Sequence, residues 1–181
     1  ANNSVIASFK RGFTQGVADQ AKKLHKNVTI YDQNVGNFTD TVRAQSIATN
    51  MYDKNIDVIF HAAGNAGGGL FQAARFINQA RPAQDRVWVI GVDADQSDLG
   101  RYYAKGGQEA NFVLTSVITG VNVATKDIAS RSYQDKFPGG KMITYGLKNN
   151  AVSILPGQIA PNIWKDVQIA RSKILAGKIK I

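Results

Sequence analysis

The tightest constraint in this chain is an alternation between two kinds of apolar pattern. Short runs dominated by apolar side chains, Asp57–His61 (DVIFH) and Arg86–Val92 (RVWVIGV), alternate with longer segments in which apolar residues recur at helical spacing. A short continuous apolar run bounded by turn residues reads as a strand covered on both faces, which parallel sheets produce and half-solvated antiparallel sheets do not. Strand, short loop and helix therefore repeat, and such repeats pack as a right-handed, doubly wound α/β sheet.

The pattern predicts specific elements. Val5, Phe9, Phe13, Val17 and Leu24 mark one face of a first helix, with Ser4 as its N-cap. Asn27–Asp32 reads as a strand, and a helix over Thr41–Lys54 turns Val42, Ile47 and Met51 inward. After the strand at Asp57–His61, the glycine-rich turn Ala62–Gly69 opens a helix over Leu70–Ala80. Asn111–Thr115 begins a further strand and Ser116–Tyr133 reads as a helix. Phe137-Pro138-Gly139-Gly140 breaks the pattern, Ala151–Leu155 is a short strand, and Pro161 suits the first turn of a terminal helix.

Composition narrows the function classes. The 181 residues carry 22 Lys+Arg against 13 Asp+Glu, a formal net charge of +9. Residues 121–181 hold ten of the basic residues and three of the acidic ones, spread as single side chains. Spaced lysines on amphipathic helices are a solvated face, so no nucleic-acid partner is expected. Cysteine is absent, which removes thiol nucleophiles, disulfides and Cys-ligated metals. No G-x-S-x-G elbow or metal-spaced histidine pair occurs. Neither an enzyme nor a cofactor or metal site is expected.

In open α/β sheets, ligands bind beyond the carboxyl ends of the strands. Three loops lie there: Gln33–Asp40, Ala62–Gly69 and Asp93–Asp98. The turn Ala62-Ala63-Gly64-Asn65-Ala66-Gly67-Gly68-Gly69 lets backbone amides approach a ligand, but its spacing fits neither phosphate-binding fingerprint. The same glycines could serve only close helix–sheet packing. Of Asp93, Asp95 and Asp98, one carboxylate is expected to meet the ligand, while the others cap the following turn. His61, at the end of a buried strand, reads as a satisfied core histidine.

Several motifs occur together and in order. They are Phe38-Thr39-Asp40, Asp57–Gly69 (DVIFHAAGNAGGG) running into Phe71-Gln72-Ala73-Ala74, Val89–Gln96 (VIGVDADQ), Val113–Val117 (VLTSV) and Ile174–Ile181 (ILAGKIKI). Through them the chain resembles the basic membrane lipoprotein family, the purine-nucleoside receptor type of substrate-binding protein in ABC importers. The resemblance implies a type I periplasmic-binding-protein fold, with one lobe largely present and the other largely missing. Residues 1–112 would form the C-terminal lobe, 113–155 a crossover whose helix belongs to the N-terminal lobe, and 156–181 a return segment with the terminal helix. It also implies a nucleoside ligand, an ABC permease as partner, and attachment to the outer face of the cell membrane by an N-terminal lipid anchor outside this chain. Carried over by position, Phe38 stacks on the base, with Asp40 beside it in the same motif, and Gly64, Gly67 and Gly68 offer backbone groups. Asp93 takes the ribose hydroxyls. Thr119 stands where the family has a ribose-binding Lys, three residues after Ser116. The alternative is a sugar-binding or effector-sensing domain of a transcription regulator with the same fold.

Overall fold

Residues 4–180 are described by a computed structural model, and their elements run in the order helix, helix, strand, helix, strand, hairpin, strand, helix, strand, helix. They are α1 (Ser4–Lys23), α2 (Thr41–Tyr52), β1 (Val58–Phe60), α3 (Gly68–Gln79), β2 (Trp88–Asp93), β3 (Arg101–Tyr103), β4 (Glu109–Asn111), β5 (Val113–Thr119), α4 (Val121–Tyr133), β6 (Val152–Ile154) and α5 (Pro161–Leu175). One sheet has the order β1-β2-β5-β6; β1, β2 and β5 are parallel, and β6 runs antiparallel to β5. β3 and β4 pair antiparallel as a separate hairpin.

Helices cover both faces of β1, as its apolar run requires. Alternation sends Phe60 to one face, where its ring lies 6.2 Å from Phe9 and 5.4 Å from Phe13 of α1. Ile59 points the other way, into a core with Val89 and with Leu70, Ala73 and Ala74 of α3. α2 and α3 touch almost backbone to backbone. A methyl group at Gly69 would lie 2.0 Å from the Thr41 carbonyl oxygen, so only glycine permits the crossing. Asn78 of α3 is fully buried and answers both backbone groups of Val87: its Nδ2 donates to the Val87 carbonyl at 3.0 Å, and its Oδ1 accepts the Val87 N–H at 2.8 Å. That pair satisfies a chain segment entering the sheet before the strand ladder begins.

Some sequence expectations are corrected. Asn27–Asp32 forms no strand. Val28, Ile30 and Tyr31 are exposed, and the Lys10–Asp32 ion pair ties the segment to α1 rather than to a sheet edge. In α2 the buried residues are Ala44, Ala48 and Tyr52, spaced four apart; Met51 packs against the same core as expected, Ile47 is half-buried, and Val42 points to solvent at 76% exposure. Ser116–Thr119 belongs to β5 instead of opening a helix, because Val117 and Ile118 pair with Val92 and Asp93; α4 starts after Gly120. α1 is described from Ser4 onward, and the N-cap expectation at its start turns on residues outside the described ones. The hairpin β3–β4 is an addition. Pro161 is in the first turn of α5, as expected.

Candidate functional site

Three connections leave the carboxyl ends of β1, β2 and β5, and hydrogen bonds hold them together. Asp93 closes β2 opposite Ile118 of β5, in the left-handed region with φ +70°. Non-glycine residues avoid that region, and Asp and Asn are among the few that tolerate it. The turn thereby lifts the carboxylate clear of the sheet, where it is exposed. The Thr119 hydroxyl, at the end of β5, donates to Asp93 Oδ1 at 2.9 Å. That bond anchors one oxygen of the exposed carboxylate.

The remaining acids have local duties. Asp95 Oδ1 accepts the Ser97 N–H at 3.0 Å, and that bond holds its carboxyl below the usual range. Asp98 pairs with Arg101 at 3.0 Å on the surface. Asp40 N-caps α2, its Oδ1 accepting the Arg43 N–H at 2.9 Å. Among the described residues, no cluster of His, Asp or Glu could hold a metal ion.

The loop carrying Phe38 is attached to the glycine-rich turn. The Phe38 carbonyl accepts the Ala66 N–H at 2.8 Å, and the Phe38 side chain lies where it would just touch a methyl group at Gly64. Gly64 has φ +55°, and the chain then makes a 3-10 turn over Gly64–Gly67 into α3. Phe38 keeps 39% of its surface exposed. The three glycines singled out from sequence separate here. Gly64 sits under Phe38. Gly67 is needed for packing, because a methyl group there would be 2.3 Å from His61 Cε1. The Gly68 N–H is engaged within the turn, on the carbonyls of Ala66 and Asn65.

His61, at the end of β1, is buried at 6% exposure, with its ring 5.7 Å from Phe71 and edge-on to it. Its Nε2 lies 3.0 Å from Gln96 Oε1, while Nδ1 has no partner. The reading of a satisfied core histidine is therefore correct for one nitrogen only. Burial pushes its pKa down, against smaller upward contributions from Gln96 and Asp93. Gln96 Oε1 also accepts the Val92 N–H at 2.9 Å, and the Gln96 N–H reaches Ser116 Oγ at 3.1 Å. Gln96 thus joins the ends of β1, β2 and β5. Sequence reasoning missed it; the one signal was a glutamine directly after a strand-end acidic turn. Two open grooves elsewhere, along α4 (Ala124, Ile128, Phe137) and along α5 (Ile169, Lys173, Ala176), are apolar surface without the polar convergence found at Asp93.

A mostly parallel sheet whose carboxyl edge carries a glycine-rich turn and an exposed carboxylate is where open α/β folds bind ligands. Comparison with known proteins gives the family. The model for the Bmp family, described as ABC transporter substrate-binding protein PnrA-like, matches residues 1–181, and the chain belongs to that family. It is 38% identical over 179 residues to the ABC transporter nucleoside-binding protein BmpA of Lactococcus lactis, covering 99% of this chain and 50% of the relative. Basic membrane protein A of Borreliella burgdorferi is 32% identical over 178 residues, covering 97% of this chain and 47% of that protein. The fold is shared with a solute-binding protein of an ABC transporter system from Aeropyrum pernix, at a TM-score of 0.71 and 20% identity, over 91% of this chain and 50% of that one. The chain spans about half the length of the relatives it matches.

Proposed function

We propose that this chain supplies one wall of a purine-nucleoside site in the substrate-binding component of an ABC importer. Family membership and the nucleoside-binding relative favour this reading over the regulator alternative. The observation that carries it is the Asp93–Thr119 pair at the carboxyl edge of the sheet. A carboxylate anchored through one oxygen presents the other to vicinal hydroxyls, the arrangement a ribose needs. Phe38 offers an exposed ring for the base, and Gly64 lets the adjacent turn come close beneath it. Thr119, lacking the ammonium of a lysine, acts through Asp93 by orienting it. Asp40 serves the site indirectly, by capping the helix that follows the Phe38 loop.

The lobe assignment belongs to the same proposal: 1–112 in the C-terminal lobe, 113–155 as the crossover and 156–181 as the return. β5 and β6 share the sheet with β1 and β2, so the crossing proper would centre on α4 and the segment after it. A permease partner, an extracytoplasmic membrane location and a lipid anchor are proposed from the family and from relatives named basic membrane proteins. Equilibrium titration of the chain with inosine, ribose and hypoxanthine tests the site. Asp93→Ala is expected to weaken inosine and ribose by about tenfold or more and to spare the base, since it removes a charged hydrogen-bond acceptor. Phe38→Ala is expected to weaken inosine and hypoxanthine and to spare ribose. Equal losses for base and nucleoside in Asp93→Ala would remove the sugar from Asp93.

A further inference from the structure

We propose that His61 is a positioning residue for Asp93: its neutral Nε2–H form holds Gln96, and Gln96 fixes the turn that presents the carboxylate. The proton's place follows from the bonds. Gln96 Oε1 already accepts a backbone N–H from Val92, so that atom is an oxygen acceptor and cannot be the amide nitrogen. Nε2, 3.0 Å from it, must therefore be the donor. In a neutral imidazole this leaves Nδ1 bare, and Nδ1 is the buried atom with no partner. The ring cannot turn away, because Gly67 lies against Cε1 and Nδ1 and Phe71 stands edge-on. Asp93 is the residue directly after the clamped Val92, and the bonds around the turn help to hold its left-handed backbone. Gln96 closes that loop, and its own N–H is held by Ser116.

A second proton on His61 would create a buried Nδ1–H without an acceptor. Phe71 from α3 and Gly67 from the turn bring no charge to the ring; Asp93 is the charged group acting on it, and it favours the proton less than burial opposes it. With its pKa lowered from 6.5, folded His61 binds fewer protons than the unfolded chain, so its contribution to stability is full above pH 6.5 and declines as pH falls below it toward the folded value.

The inference rests on the reading of Asp93 as a ligand group, but its test needs no ligand. Nitrogen-15 spectra of the chain's histidines are expected to show the Nε2–H tautomer for His61 at pH 7.5. Amide protection, with the intrinsic pH dependence divided out, is expected to fall at Val92 and Gln96 between pH 7 and 5, with Val89, bonded to Phe112 in the same sheet, as the unaffected reference. His61→Leu is expected to raise opening at Val92 and Gln96 by about tenfold at pH 7.5. His61→Gln, which keeps a donor at the Nε2 position but cannot titrate, is expected to restore protection and abolish its excess pH dependence. If His61→Leu does not fold, the tautomer and His61→Gln decide. An Nδ1–H tautomer, unchanged exchange at Val92 and Gln96, or pH dependence surviving in His61→Gln would overturn the assignment. Failure of inosine to bind, with those ligand-free results intact, would count against the nucleoside reading alone.

Discussion

Gly67 and Asp93 show how much of this site rests on single backbone positions. At Gly67 a methyl group would overlap the His61 ring, at 2.3 Å from Cε1 and 2.4 Å from Nδ1, in a part of the core where the ring has no free space to enter. Overpacking of this kind costs about 1–3 kcal/mol, so Gly67→Ala is expected to lower the melting temperature by several degrees. Gly68→Ala, whose added methyl group would come no nearer than 3.8 Å to Thr41, is expected to be close to neutral; a thermal melt of each variant checks the contrast. At Asp93 the left-handed φ makes asparagine the conservative replacement and alanine a strained one. Asp93→Asn is expected to retain the turn while losing part of the ribose affinity, which separates charge from backbone effects. The motif Gly-Val-Asp-Ala-Asp-Gln was legible as a strand end running into a turn, yet the division of labour among Asp93, Asp95, Asp98 and Gln96 was not. Those roles depend on Thr119, Ser97, Arg101 and His61, and three of these partners come from other strands or turns.

At the scale of elements, the apolar runs Asp57–His61 and Arg86–Val92 were legible because burial on both faces leaves no polar position to confuse the pattern. Asn27–Asp32 has strand-like residues but no partner, and β-propensity expresses packing on a neighbour more than any backbone preference. Val117-Ile118-Thr119 carried a strand signal in its β-branched residues, masked by the helical spacing that continues into Val121–Tyr133. The hairpin β3–β4 could not be read, since its few residues fold against long-range partners: Tyr102 packs at 5.6 Å from Phe112, and Arg75 of α3 donates to the carbonyls of Leu99 and Arg101. α3 is the element that integrates the lobe, and Asn78 is its most exacting residue. Asn78→Ala leaves the Val87 N–H and C=O buried and unanswered, at a cost of about 2–4 kcal/mol for two such groups. Denaturant unfolding should show the midpoint falling by that equivalent, while Asn78→Asp, which can serve only the N–H, recovers little.

Across the whole molecule, polarity of packing is uneven. The core of β1, β2, β5 and α3 is closed, whereas α1, α4 and α5 have no buried residue. The candidate site is itself exposed, with Phe38 at 39% exposure and Asp93 in solvent. Small-ligand sites bury about 70–90% of the ligand, so a single open wall is expected to bind nucleosides in the millimolar to high-micromolar range. Sub-micromolar binding by the 181-residue chain would contradict the one-wall account.

Weak binding of that kind is best read residue by residue, by amide chemical-shift mapping of the chain titrated with inosine to millimolar concentration. Saturable shifts are expected, concentrated at Phe38, Gly64, Asp93 and Thr119. Ribose alone should reproduce those at Asp93 and Thr119, and hypoxanthine those at Phe38 and Gly64. Shifts absent from these four residues, or gathered along the α4 groove around Ile128 and Phe137, would contradict the claim that the carboxyl edge of this sheet is a nucleoside wall.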